Sequence, residues 1–211
     1  MSGKLIFRYG TMGSGKSLQL LATAYNFEER SIPFLLLKSE IDNRDGEDVV
    51  HSRALGDKEC VSIATDVDIY HLIVRFINQQ IALGLPKLKW ILVDECQFLT
   101  VKQVEELAAI TDKFDISVIC YGLRTDFKTK LFPASKRLFE IADSIDEIKS
   151  SCSCNKKTIF NARIDENKNL ITDGEQIEVG GDDKYISLCR KCYFEKIKHN
   201  LYLKNNLIKE D

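Results

Sequence analysis

Leu5-Ile6-Phe7-Arg8-Tyr9-Gly10-Thr11-Met12-Gly13-Ser14-Gly15-Lys16-Ser17 is the stretch that decides the fold. Its apolar start reads as a buried strand over residues 4–9. Residues 10–15 form a glycine-rich turn. Residues 16–29 read as a helix, with Leu18, Leu21, Ala22 and Tyr25 recurring at helical spacing. The turn fits G-x-x-x-x-G-K-[ST] between a strand and a helix, the context that gives that motif its meaning. Its glycines let successive N–H groups converge on phosphate oxygens, and the helix N-terminus adds partial positive charge. Gly10, Thr11, Met12, Gly13, Ser14, Gly15, Lys16 and Ser17 are therefore the candidate ATP phosphate-binding residues. Lys16 would reach the β- and γ-phosphates as a catalytic cation, and the Ser17 hydroxyl is a natural Mg²⁺ ligand.

Outward from this loop, strands and helices alternate. Residues 33–37 read as a strand, and 39–60 as a polar loop of unclear internal structure. Residues 61–63 form a short strand and 68–83 a helix stopped by Gly84. Residues 90–93 form a buried strand, and Thr100 caps a helix bearing Val101, Val104, Leu107 and Ala108. A strand over 116–121 and a helix over 133–142 follow. The alternation implies an α/β fold, with a mostly parallel sheet covered on both faces. The 90–93 strand ends in Asp94-Glu95, at the sheet edge that also carries the phosphate loop. One acid there can hold Mg²⁺, and the other can take a proton from an attacking hydroxyl or water.

The 211 residues suffice for one α/β core plus a small appended module. Lys+Arg is 30 and Asp+Glu is 32, a net charge of -2, which argues against nucleic-acid binding by bulk charge. The N-terminus runs straight into an apolar strand, so a reducing cytoplasmic setting is expected, where cysteines more often bind metal than pair. Seven cysteines fit that setting. Four fall late, as Cys152-x-Cys154 and Cys189-x-x-Cys192, and two close pairs resemble a zinc ribbon. Cys60, Cys96 and Cys120 lie apart and read as buried or incidental. Residues 1–149 are thus expected to form the ATP-binding core and 150–198 a small zinc-binding module. Residues 199–211 are a polar tail, a frayed helix or a disordered end.

Taken in order, these elements resemble the thymidine kinases of the cytosolic type over residues 4–194. The resemblance rests on the phosphate loop, Asp42-x-Arg44, Asp94-Glu95-x-Gln97-Phe98 and the run Tyr121-Gly122-Leu123-Arg124-Thr125-Asp126-Phe127. The cysteine pairs and the run from Val179 to Tyr185 complete it. It implies a RecA-like core with a zinc-bearing lasso domain, and transfer of the ATP γ-phosphate to the 5′-hydroxyl of thymidine or deoxyuridine. It implies Glu95 as general base, Asp42 with Asp94 and Ser17 at Mg²⁺, and Arg44 near the transferring phosphate. Met12, Phe98, Leu123 and Phe127 would wall the nucleoside pocket. Val179, Gly180 and Tyr185 would close over the base through main-chain groups, with Gly180-Gly181 permitting close approach. A homotetramer inhibited by dTTP is implied as well. The sequence departs from the family at the first cysteine pair, where C-x-x-C spacing would put a ligand at Ser151. Either Cys152 serves through a local shortening, or the site has three sulfurs and another ligand. The competing readings are a small RecA-like ATPase acting on nucleic acid, which lacks a basic-aromatic stretch here, and a nucleotide-binding zinc-ribbon interaction module.

Overall fold

A computed structural model describes residues 3–42, 48–176 and 184–207, with residues 201–207 described through their backbone. In chain order the elements are β1 (Leu5–Gly10), α1 (Lys16–Glu29), β2 (Phe34–Ser39), β3 (Val49–Ser52), β4 (Gly56–Glu59), β5 (Val61–Ile63) and α2 (Ile69–Ala82). There follow β6 (Trp90–Asp94), a 3-10 turn (Cys96–Phe98), α3 (Val101–Phe114), β7 (Ser117–Leu123), α4 (Pro133–Ile141), β8 (Ser144–Ile148), β9 (Phe160–Arg163), β10 (Tyr185–Leu188) and α5 (Arg190–Leu207). Six strands form one sheet in the order β5-β2-β6-β7-β1-β8, with every neighbouring pair parallel. The loop after β1 and the acids after β6 therefore open on the same edge, on either side of β7. This is the α/β architecture expected from the alternation of elements.

Strand alternation sends side chains to two cores. Leu5, Phe7, Leu35, Leu37, Ile91, Val93, Val118 and Cys120 pack with Ile69, Ile73 and Ile77 of α2, Val104, Leu107 and Ile110 of α3, and Leu138 of α4. The intervening Leu36, Leu92, Ile119 and Tyr121 face Leu20, Leu21 and Ala24 of α1. Helix α1 is thus the main cover of its face, and its rotation differs from the sequence expectation. Leu18 and Tyr25 are 40% and 59% exposed. The cause lies at its first residue. Lys16 is buried toward the sheet edge, and at about 100° per residue Leu20, Ala24 and Leu21 fall within about 140° of it. Those residues form one continuous arc from about 0° to 140°, and Tyr25 and Leu18, at about 180° and 200° on the same count, lie beyond it on the exposed side.

Two further elements differ from expectation. The polar stretch 39–60 contains the antiparallel hairpin β3–β4. β8, an edge strand beside β1, has no counterpart in the sequence pattern, because Ser-Ile-Asp-Glu-Ile is largely polar. Helix α5 carries the chain through residue 198 and on to Leu207, so the tail begins as a helix. Among the described residues no helix is long and apolar enough to cross a membrane.

Thr100 caps α3 through a reciprocal pair of bonds: the Gln103 N–H donates to Thr100 Oγ1 and the Thr100 N–H donates to Gln103 Oε1. Gln103 Nε2 also donates to the carbonyls of Ala64 (2.8 Å) and Val67 (3.0 Å), tying α3 to the loop before α2. Thr100→Ala should cost about 1 kcal/mol. Gln103→Ala strands three backbone groups and should cost about 2–4 kcal/mol. Equilibrium urea unfolding separates the two, and equal losses would mean the Ala64 and Val67 bonds contribute nothing.

Candidate active site

Between β1 and α1 the chain turns through Gly13 (φ 68°) and Gly15 (φ 86°), conformations that a side chain would strain. Lys16 is buried, and its Nζ donates to the Thr11 carbonyl at 3.0 Å, arching the amine over the loop. The Ser14 hydroxyl is buried without a hydrogen-bond partner. A buried orphan hydroxyl beside glycines in left-handed geometry suits a loop that receives phosphate oxygens.

Asp94 ends β6, fully enclosed. Its Oδ2 accepts from the Ser17 hydroxyl at 3.2 Å and its Oδ1 from the Glu95 N–H at 3.0 Å. Adjacent oxygens around one Mg²⁺ lie about 3 Å apart, so this pair fits the ion. Burial and then the Glu95 charge push the Asp94 carboxyl up to about 7, against the opposing pull of the Glu95 N–H, Lys16 and Ser17. A cation at this point would relieve that strain on the charged form. Asp42 is buried in the turn that follows β2, its N–H donating to the Ser39 carbonyl, on the same sheet edge.

Glu95 sits at φ 48°, ψ 40°, in the left-handed region, where a residue with a Cβ is disfavoured. Such strain at a strand end is where functional side chains concentrate. Gln97 Nε2 donates to Glu95 Oε2, and Gln97 Oε1 accepts from the Leu123 N–H at 2.9 Å. Gln97 therefore ties the acid to the end of β7. This requires bare backbone at Gly122: a Cβ there would stand 2.5 Å from Cys96 Sγ and 2.6 Å from Gln97 Oε1. Gln97 stands in the Asp94-Glu95-x-Gln97-Phe98 motif, and nothing in its residue type alone marks this role. Its signal lay in position, two residues past the acid on a turn that folds back.

The nucleoside-wall candidates fall around this edge. Phe98 follows Gln97 and meets Phe132 edge-on at 6.0 Å. Leu123 ends β7, and Phe127 lies buried in the next loop with the Arg163 guanidinium 5.5 Å from its ring centre. Tyr185 is buried at the start of β10. Met12 is part of the phosphate loop itself. Arg44, Val179 and Gly180 lie outside the described residues. Gln176 immediately precedes that second stretch, and its Nε2 donates to Asp126 at 2.8 Å.

The sulfurs of Cys152, Cys154, Cys189 and Cys192 all lie within 4.8 Å of one another. A tetrahedral ZnS₄ centre with Zn–S of about 2.3 Å spaces its sulfurs about 3.8 Å apart, so the cluster is the size of such a site. The short first pair is accommodated by a tight turn. Asn155 takes φ 64°, its N–H donates to the Cys152 carbonyl, and the Cys152 N–H donates to the Lys156 carbonyl, both at 2.8 Å. Cys152 thereby joins the other three sulfurs, and Ser151 instead bridges to Lys157. The Cys154 N–H holds the Cys152 thiol down to about 6, the Cys192 N–H lowers Cys189, and contact with the Cys154 thiol pushes Cys192 up to about 12. Cys96 and Cys120 are buried in the core, and burial pushes the half-buried Cys60 up to about 11, all as inert thiols would be.

Residues 3–193 match the family model for thymidine kinase. The thymidine kinase of Pasteurella multocida is 42% identical over 194 residues, covering 92% of this chain and 98% of that one. That of Streptococcus agalactiae is 42% identical over 193 residues, covering 90% and 97%. That of Vibrio cholerae is 41% identical over 194 residues, covering 92% and 98%. With the phosphate loop, the paired strand-end acids and the four-sulfur cluster in one fold, these matches leave one conclusion: the chain belongs to the thymidine kinase family.

Proposed function

We propose that this protein transfers the γ-phosphate of ATP to the 5′-hydroxyl of thymidine, and of deoxyuridine. The observation that carries the reading is the convergence of Lys16, Ser17, Asp94 and Glu95 on one sheet edge in a chain of this family. Phosphoryl transfer is mostly positioning and charge neutralisation. The loop residues Gly10 to Ser17 hold the triphosphate, and Lys16 lies along its terminal phosphates. Ser17, Asp94 and Asp42 hold Mg²⁺, which neutralises charge on the phosphate oxygens when bound. Glu95, at the end of β6 and held by Gln97, is the base. It takes the proton of the 5′-hydroxyl as the O5′–P bond forms and the bond from phosphorus to the ADP oxygen breaks. Arg44 stabilises charge on the transferring group.

Met12, Phe98, Leu123 and Phe127 wall the nucleoside, and Val179, Gly180 and Tyr185 close over its base. Cys152, Cys154, Cys189 and Cys192 hold a structural Zn²⁺. Residues 1–149 form the ATP-handling core, 150–198 the closing module, and 199–211 the tail. We further infer a cytoplasmic homotetramer inhibited by dTTP, on family membership alone. The test is a nucleoside panel with ATP and Mg²⁺, read by product identity. Thymidine and deoxyuridine should yield their 5′-monophosphates, while purine deoxynucleosides should not react. Absence of any phosphorylated nucleoside would overturn the reading, and DNA-stimulated ATP hydrolysis in its place would favour the ATPase alternative.

A further inference from the structure

The cysteine-bearing module grips the phosphate loop directly. The Met12 N–H donates to Asn161 Oδ1 at 2.8 Å, and the Ser187 hydroxyl donates to the Met12 carbonyl at 2.7 Å. Asn161 and Ser187 stand opposite each other in the β9–β10 pair, so one rung of this small sheet holds both polar groups of one loop residue. Asn161 is 3% exposed, and its Nδ2 donates to the Thr125 carbonyl at 3.1 Å. A second grip lies one residue earlier. The Thr11 hydroxyl is 2.8 Å from the Ser150 hydroxyl and 2.9 Å from that of Thr158, the residues that flank the Cys152 turn. Thr11 in turn accepts the Lys16 amine on its carbonyl.

We propose that Asn161 and Ser187 are positioning residues for nucleotide binding, through which the module sets the shape of the phosphate loop. Both backbone groups of Met12 are engaged by the module. The Met12 N–H is therefore not available to phosphate, the backbone N–H contacts within the glycine turn come from beyond it, beside the Lys16 amine, and the loop enters that stretch from a fixed point. The glycines that follow have no side chain to hold them, so without the clamp they lose conformational order that the nucleotide must restore on binding. Linkage makes the effect reciprocal: if an ordered module strengthens nucleotide binding, bound nucleotide must stabilise the module.

The inference rests on the phosphate loop being the nucleotide site, and its test needs no nucleoside. Mg·ADP is titrated calorimetrically into the zinc-replete protein and into Asn161→Ala, Ser187→Ala and Ser187→Thr. Ser187→Ala should bind about three- to ten-fold more weakly, the size of one neutral hydrogen bond. Asn161→Ala, which strands two backbone groups, should lose at least as much. Ser187→Thr keeps the hydroxyl and suits a strand, so it should bind within about twofold of the parent. Amide hydrogen exchange over residues 158–163 and 185–188 should slow when Mg·ADP binds the parent, and slow less in Ser187→Ala. A merely structural role would lower thermal stability and leave affinity and nucleotide-induced protection where they were. That outcome in Ser187→Ala overturns the proposal, and if Asn161→Ala does not fold, Ser187→Ala still decides it. Failure of the parent to bind Mg·ADP at all would instead overturn the function proposed above.

Discussion

Glu95→Gln is expected to lower kcat by about 10²–10⁴-fold, the range over which a positioned proton acceptor contributes. The KM values for both substrates should stay within a few-fold, because glutamine keeps the volume and still offers Gln97 an oxygen to bond. The strained backbone argues the same point independently. At φ 48° the residue sits where glycine would be more comfortable by about 1–2 kcal/mol. Glu95→Gly relieves that strain but leaves the buried Gln97 Nε2 without its acceptor, so its thermal stability should stay close to that of the parent while it is as inactive as the glutamine variant. The position gives up stability, and what it holds in return is a carboxylate at the strand end between Asp94 and the end of β7. Near-normal turnover in Glu95→Gln would remove the carboxylate from proton transfer and leave the strain without a catalytic explanation.

How much of this was legible in the sequence depended on the range of the interactions involved. Helix α1 runs over Lys16–Glu29 as read, because its start is fixed by a local motif. Which of its faces is buried was not local. The expected stripe through Leu18 and Tyr25 follows apolar spacing, yet Lys16 must turn toward the sheet edge, and a helix has one rotation to give. β8 escaped for a related reason. As an edge strand it hydrogen-bonds to β1 alone, and most of its side chains are not enclosed, so Asp146 and Glu147 can occupy it.

The edge that carries the candidate site is legible in the sequence because parallel strands bring their carboxyl ends together whatever the intervening sequence. The clamp on the phosphate loop is not. Asn161 and Ser187 lie 149 and 175 residues from Met12, and nothing periodic marks a single Asn or Ser. Their role comes from the rung they share, which depends on the register of β9 against β10. Within the cysteine cluster the shortened first pair left two ligand sets open. The turn at Asn155 brings Cys152 to the other sulfurs without any help from Ser151.

Cys152→Ser is therefore expected to reduce bound zinc from about one ion per chain to a small fraction of that. The module cannot hold itself together on its own core. Its buried apolar cluster comprises little more than Ala162, Leu170, Leu188 and Tyr193 around two of the cysteines, and β9 and β10 are four residues each. A lone two-stranded sheet is marginal in water, whereas a structural zinc site contributes on the order of 10 kcal/mol. The loss should reach the nucleoside side as well. The Tyr193 hydroxyl, one residue past Cys192, donates to the Phe127 carbonyl at 3.0 Å, so melting the module frees a candidate pocket wall. We expect kcat/KM for thymidine to fall by about 10²-fold or more, with proteolysis appearing between residues 150 and 193 while the core stays intact. A paired variant isolates the turn from the spacing. Ser151→Cys with Cys152→Ser restores C-x-x-C, but it moves the thiol to an exposed residue whose backbone bridges to Lys157. It should not recover zinc. Recovery of one zinc per chain by this swap would show that spacing, and not the Cys152–Asn155 turn, selects the ligand.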